Sequence, residues 1–233
     1  MALRLKKLPR SFYMQPTLKV AKELLGMFLV RTVRGEKLIG RIVEVEAYLG
    51  SKDPASHAYR GRTKRNEVMF WKGGHLYVYF TYGMHYCSNV VTRPEGIAHA
   101  VLLRAVEPVA GVEVMGQNRK RPIGETDLTD LCSGPARLCQ ALGIARDQNG
   151  TDLCGNEIWI GRDVQSKRKP AVARSSRVGI TDGREHRWRF YIKGSRFVSP
   201  GRPATTDAVS ARGPVRKARA AIKPNHQDSF ARG

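Results

Sequence analysis

The stretch Arg41-Ile42-Val43-Glu44-Val45-Glu46-Ala47-Tyr48 alternates apolar with other side chains, a period of two that belongs to a strand. On a regular strand Ile42, Glu44, Glu46 and Tyr48 share one face, and His57 follows nine residues after Tyr48. A carboxylate beside an aromatic ring and a histidine can activate water and hold a flat ring. A half-exposed strand with solvated glutamates is the simpler alternative, because charged side chains usually stay at the surface.

Charge narrows the choice. The 233 residues carry 41 Lys plus Arg against 20 Asp plus Glu, a formal charge of +21. Such a field favours a polyanionic partner and speeds encounter with it, so nucleic acid is the first candidate. An anionic membrane surface is second, but no apolar run approaches the roughly 20 residues that span a bilayer. Met1 to Lys7 lacks the apolar core of a secretion signal. The expected location is intracellular: cytoplasmic and nucleoid-associated in a bacterium, nuclear in a eukaryote. Cys87, Cys132, Cys139 and Cys154 form no CxxC pair and have no histidine at metal spacing, so reduced thiols are expected and neither a metal nor a cofactor.

The length and the 41% hydrophobic content suit one substantial core, and no linker interrupts residues 11–200. The expected organisation is a basic N-terminal segment (1–16), one folded domain (17–200) and a disordered basic tail (201–233), the whole a monomer. The tail holds seven Lys or Arg, two Asp and three Pro with little apolar content.

Along the chain, Leu18, Ala21, Leu24 and Leu25 fall at helical spacing after Thr17, and Gly26 is placed to end that helix. Met27 to Val30 and Leu38 to Tyr48 read as strands joined through Arg34-Gly35-Glu36-Lys37. Residues 51–72 form a long irregular loop with Arg60, Arg62, Lys64, Arg65 and Lys72, able to clamp phosphates or simply to be solvated. Leu76 to Tyr82 and Tyr86 to Val91 make a hairpin with Tyr82, Gly83 and Met84 near its tip. A large aromatic there is well placed to wedge between stacked bases.

The run Ala98 to Leu103 reads as a strand closed by Arg104, whose buried charge needs an anion, with Glu46 one candidate. Pro108 then suits the first turn of a helix containing Val112 and Met115. Residues 117–130 read as a polar loop, Ser133 as the N-cap of a helix ended by Gly143, and Trp159, Ile160 and Val172 as further sheet around a basic turn at 167–170. Arg177 to Ile180 and Trp188 to Ile192 are expected to complete the sheet.

Several of these pieces, in this order, resemble the alkyladenine (3-methyladenine) DNA glycosylases: Gly40 to Tyr48, Leu76 to Asn89, Val101-Leu102-Leu103-Arg104-Ala105, Ser133-Gly134-Pro135, Arg177-Val178-Gly179 and Trp188-Arg189-Phe190. The resemblance implies an α+β fold, a single mixed domain around a curved antiparallel β-sheet, similar to the C-terminal domain of methionyl-tRNA formyltransferase. It implies a repair enzyme acting on double-stranded DNA containing damaged purines. It makes Glu46 the general base, leaves Glu44 outside the direct chemistry, and has Arg104 and the Val178 carbonyl hold the water. Tyr48, His57 and Tyr79 would wall the base pocket, and Asn89 would reject normal guanine. Tyr82, with Met84 beside it, would fill the gap left in the duplex, and Arg62, Lys64 and Arg65 would meet phosphates. Two readings from other classes are a non-catalytic nucleic-acid-binding module and a metal-free glycoside hydrolase using Glu44 and Glu46 as its carboxylate pair.

Overall fold

A computed structural model describes residues 3–121, 127–166 and 168–201. The expectations for the 201–233 tail beyond Gly201, and for Lys167 in the basic turn, lie outside the described residues.

In chain order the elements are β1 (Leu5–Lys7), α1 (Arg10–Tyr13), α2 (Thr17–Leu24), β2 (Phe28–Val33), β3 (Glu36–Tyr48), β4 (Leu76–Thr81), β5 (His85–Thr92), β6 (His99–Ala110), α3 (Val112–Asn118), α4 (Leu128–Leu131), α5 (Pro135–Ala141), β7 (Ile158–Asp163), β8 (Val172–Ser175) and β9 (Arg189–Ile192). The fold is mixed α+β. The nine strands form one antiparallel sheet in the order β1-β7-β2-β3-β6-β5-β4, with β9 added on β3 and β8 on β9.

Turn chemistry sets much of this. Arg34 and Gly35 both lie at positive φ (49° and 83°), the geometry that lets a two-residue loop match the twist of β2 and β3. Tyr82 (50°) and Gly83 (67°) are also at positive φ at the tip of the β4–β5 hairpin, where Met84 is a third loop residue before His85 pairs with Thr81. The first half of β3 pairs with β2 and its second half with β9, while β6 runs along its other side. Glu44 and Glu46 therefore sit between two strands, opposite Tyr191 and Arg189 of β9. Central position in the sheet is what takes both carboxylates out of solvent.

A bulge corrects the reading of the β3 face. The β3–β6 register shifts by one residue between Ile42 and Glu44 and shifts back between Glu44 and Val45, an irregularity that breaks the alternation of faces on both strands. Ile42 then joins Val45 and Ala47 in the main core, and only Glu44, Glu46 and Tyr48 keep to the site face.

Other expectations also change. The basic N-terminal segment is built into the sheet and core: β1 pairs with β7, and α1 buries Phe12 and Tyr13. Arg104 does not close its strand, since β6 continues through it to Ala110. Pro108 lies opposite Gly40 near the end of that ladder and beside a register shift, where a missing N–H is tolerated, and α3 starts only after Gly111. The polar loop 117–130 contains α4, capped by the Asp127 carboxylate accepting from the Thr129 N–H. Ser133 does not cap α5: Gly134 occupies the cap position, and Ser133 Oγ accepts from Arg137 instead. Arg177 to Ile180 is not a strand but a loop laid over the site.

The main core lies between the sheet and helices α2 and α5, with Leu24, Leu29, Val45, Leu103, Leu138 and Ile160 among its members. A second cluster of Ala58, Val68, Met69, Tyr77, Val91, Ala98 and Ala100 holds the long loop against the sheet. Asn66 fixes that loop from within, donating to the His57 and Gly61 carbonyls at 2.9 Å each and accepting the Thr63 N–H at 2.7 Å. Residues 51–72 are thus an ordered wall. No helix among the described residues is long and apolar enough to cross a membrane.

Gly40 belongs to the conspicuous β3 motif for a packing reason. A Cβ at this position would stand 2.5 Å from Val106 Cγ2 and 2.8 Å from Val106 Cβ. Gly40→Ala is expected to cost roughly 1–3 kcal/mol through overpacking, read as a fall of several °C in Tm. An unchanged Tm would show that Val106 gives way freely.

Candidate active site

The site begins with two carboxylates that have no exposure to solvent. Burying a charge without partners is prohibitive, so each oxygen must be matched with donors. Glu44 Oε1 accepts from Arg104 Nε (3.0 Å), Arg189 Nε (2.7 Å) and Ser199 Oγ (2.9 Å), and its Oε2 accepts the Ser199 N–H (2.6 Å). Glu46 Oε1 accepts the Val178 N–H at 2.7 Å, and its Oε2 accepts from the Tyr48 hydroxyl at 2.9 Å and faces Arg104 Nη1 at 3.4 Å. Arg104 thus bridges both glutamates and is closer to Glu44 than to Glu46. Burial works against the Arg104 charge, yet Glu46 and Glu44 outweigh it and raise its pKa above the ordinary arginine value.

In front of this cluster lies a cavity of about 480 Å³, lined by Tyr48, His57, Tyr77, Tyr79, Asn89, Leu102, Arg104 and the 178–182 loop, with Tyr82 at its mouth. Three of the residues that hold Glu46, namely Tyr48, Arg104 and Val178, form part of its wall. Glu46 sits one layer behind them.

The aromatic wall follows from strand periodicity. Tyr77 and Tyr79 lie two apart on β4, with ring centroids 5.5 Å apart. His57 comes from the loop, its ring centroid 4.4 Å from that of Tyr79 and its Nδ1 3.1 Å from the Tyr77 hydroxyl. Burial first, then the nearby Arg65 cation, lowers the His57 pKa. Burial pushes the Tyr77 phenol up to about 12, and raises Tyr48 and Tyr79 as well, with the Glu46 charge reinforcing the effect on Tyr48. The wall is therefore neutral. Asn89, opposite Tyr77 in the β4–β5 ladder, donates to the Tyr77 carbonyl at 3.2 Å and is buried.

Behind Tyr48 stands a second ion pair. Arg177, fully buried, grips Asp53 through two contacts of 2.5 and 2.8 Å and donates to the Ala47 carbonyl at 3.0 Å. Its guanidinium lies 4.7 Å from the Tyr48 ring centroid and 5.2 Å from that of Trp188, on which His186 stacks at 3.9 Å. Asp53 also accepts the Leu49 and Ala55 N–H groups. One arginine therefore ties together the end of β3, the long loop and the loop carrying Val178.

The structure brings together Glu46, Tyr48, His57, Tyr79, Asn89, Arg104 and Val178, although the Val178 contact to Glu46 is made by its amide N–H. Tyr82 and Met84 stand out from the hairpin tip, 85% and 69% exposed, where no core could hold them. Arg65 reaches the rim, donating to the Phe80 carbonyl and lying 5.9 Å from the Tyr79 ring centroid. Arg62 is exposed and engaged with Glu67 at 2.8 Å, and Lys64 is exposed. Sequence reasoning passes over Tyr77, Asp53, Arg177, Arg189 and Ser199 as contributors to the site. Tyr77 is legible in principle, two residues before Tyr79 on the same strand face. Ser199 carries no signal at all.

A sequence model of the family described as Methylpurine-DNA glycosylase (MPG) matches residues 11–196. Relatives named "Putative 3-methyladenine DNA glycosylase" include one from Alkaliphilus oremlandii, 48% identical over 203 residues (83% of this chain, 98% of the relative). Others come from Carboxydothermus hydrogenoformans, 50% identical over 192 residues (82% and 98%), and Methanoculleus marisnigri, 50% identical over 199 residues (82% and 98%). With most of its length matched at this level, and with the motif residues gathered around one cavity, the chain belongs to the methylpurine-DNA glycosylase family.

Proposed function

We propose that this protein is a monofunctional DNA-3-methyladenine glycosylase, which flips alkylated or deaminated purines out of duplex DNA and hydrolyses their N-glycosidic bond, leaving an intact abasic site. The substrates in this reading are 3-methyladenine, 7-methylguanine, hypoxanthine and ethenoadenine. The observation that carries it is Glu46, buried and aimed by three donors, directly behind the wall of an aromatic cavity.

The steps follow from the chemistry of the site. A stacked base hides its glycosidic bond, so a glycosylase must first bring the nucleotide out of the duplex, at a few kcal/mol. Tyr82, at the positive-φ tip of the β4–β5 hairpin and exposed, is the side chain that fills the vacated space. Alkylation at N3 or N7 makes the purine cationic, and a neutral aromatic wall attracts such a ring by roughly 0.5–2 kcal/mol. Tyr48 and Tyr79 supply that wall with their phenols protonated. A neutral His57 adds a flat surface without repelling the cation. Asn89, held by the Tyr77 carbonyl, crowds the 2-amino group that distinguishes normal guanine.

As the bond to the purine lengthens, positive charge grows on the sugar. Glu46 stabilises that charge and takes the proton of the attacking water, which the Val178 carbonyl and Arg104 help to hold. A carboxylate offers about four acceptor sites; the Val178 N–H and the Tyr48 hydroxyl fill two and the Arg104 cation stands at 3.4 Å, which leaves room for the water. Because its partners form the wall in front of Glu46, one of those contacts lengthens as substrate and water enter. Neutral lesions such as hypoxanthine also require protonation of the leaving base.

Glu44 is unsuited to serve as the acid of a glycoside hydrolase pair. Two arginines and both donors of Ser199 occupy it. Its role is to hold Arg104. The tail beyond Gly201, rich in Lys and Arg, adds sequence-independent affinity for the DNA backbone in this reading.

Single-turnover base release from duplexes carrying hypoxanthine, ethenoadenine or 7-methylguanine tests the proposal. Wild type is expected to excise at least one lesion without forming a borohydride-trappable adduct, and Glu46→Gln to bind the same DNA but react at least about a hundredfold more slowly. Binding without any base release by wild type would leave only the binding-module reading. His57 gives a second check: its lowered pKa means that the unfolded chain takes up its proton first on acidification. Its stabilising contribution is thus complete above the ordinary value of 6.5 and is lost as pH falls from there through the folded value. An NMR titration should place the His57 midpoint below 6.5; a midpoint above it would mean that the imidazole is cationic in the pocket.

A further inference from the structure

Ser199 and Gly201 come from the last described stretch of the chain, yet they touch the residues that hold Glu46. Ser199 is buried, and its N–H and hydroxyl both donate to Glu44, at 2.6 and 2.9 Å. Its Oγ accepts from Arg104 Nη2 at 3.3 Å. Two residues on, a Cβ at Gly201 would stand 2.6 Å from Val178 Cγ1 and 3.5 Å from Arg104 Nη2. A real Cβ does not approach another carbon so closely, so at Gly201 only hydrogen leaves Val178 where it is. The partner of Ser199 lies 155 residues away in sequence, and no other segment supplies both an N–H and a hydroxyl to Glu44 among the described residues.

We propose that Ser199 and Gly201 form a C-terminal strap that positions the reacting carboxylate; this rests on the glycosylase reading above. The strap acts through two routes. Ser199 saturates Glu44, which fixes Arg104 Nε and so directs Arg104 Nη1 toward Glu46 Oε2 at 3.4 Å. Gly201 backs Val178, keeping its N–H on Glu46 Oε1 at 2.7 Å. Neither residue touches the cavity, so both are positioning residues. Loss of the Ser199 hydroxyl leaves Glu44 short of one donor and Arg104 short of one acceptor. A methyl group at Gly201 displaces Val178 and turns its N–H away from Glu46.

The test uses the full-length chain with Ser199→Ala, Ser199→Thr and Gly201→Ala. Three readouts are taken: the single-turnover rate on a hypoxanthine duplex at saturating enzyme, the Kd for that duplex, and hydrogen exchange at the Val178 amide. Losing one charge-assisted contact is worth about tenfold in rate. Ser199→Ala and Gly201→Ala are each expected to slow base release by about that factor while Kd stays within about twofold, and Ser199→Thr to recover most of the rate. The Val178 amide should lose protection in Gly201→Ala. Wild-type rates in both variants, or a weakened Kd at unchanged rate, would overturn the strap. If wild type releases no base, the glycosylase reading falls, while Val178 exchange still decides the strap: lost protection in Gly201→Ala upholds it and unchanged protection refutes it.

Discussion

Everything in this site depends on a neutral cluster of four buried charges: Glu44 and Glu46 against Arg104 and Arg189. Either carboxylate alone, between the central strands of a sheet, would be too costly to ionise, and either arginine alone would be worse. Together they are matched donor for acceptor, and the two glutamates divide the work. Glu44 takes four contacts and becomes a fixed anchor. Glu46 takes two hydrogen bonds and a looser ion pair with Arg104, all from residues that line the cavity. The same sheet that hides the cluster presents Tyr77 and Tyr79 beside it, so the carboxylates and the aromatic wall share one rigid frame.

A second buried pair, Arg177 with Asp53, governs how that frame meets the loops. It lies behind the Tyr48 ring and joins the end of β3 to the long loop bearing His57 and to the loop bearing Val178. His186 stacks on Trp188, whose ring lies 5.2 Å from the Arg177 guanidinium. The stack lies outside the lining of the pocket itself.

The hairpins, the aromatic β4 and the pairing of Glu44 with Glu46 on one face are readable from sequence, because turns at positive φ and period-two alternation are local signals. Reading fails where a local signal has a tertiary cause. Ile42 departs from the face of Glu44 because the ladder with β6 slips by one residue and recovers between Ile42 and Val45, which the alternation of side chains does not record. β6 reads as ending at Arg104 because a charge and then Pro108 look like terminators, whereas Arg104 is satisfied by strand β3 and Pro108 sits where the ladder ends. The loop at 51–72 reads as irregular because Asn66 and a small apolar cluster order it from within, with only short 3-10 turns at Gly50–Lys52 and Glu67–Phe70 as regular structure. Ser199 is invisible in sequence, a lone serine whose partners are contributed by β3 and β6.

The most direct measurement is the structure of the protein bound to duplex DNA carrying an uncleavable analogue of a damaged purine nucleotide. The expected result has the purine flipped between Tyr48, His57 and Tyr79, and a water about 2.6–3.2 Å from a Glu46 oxygen, lying across C1′ from the departing base. A sugar whose C1′ faces Glu44, or a protein nucleophile in the water's place, would contradict the assignment of Glu46 as the base.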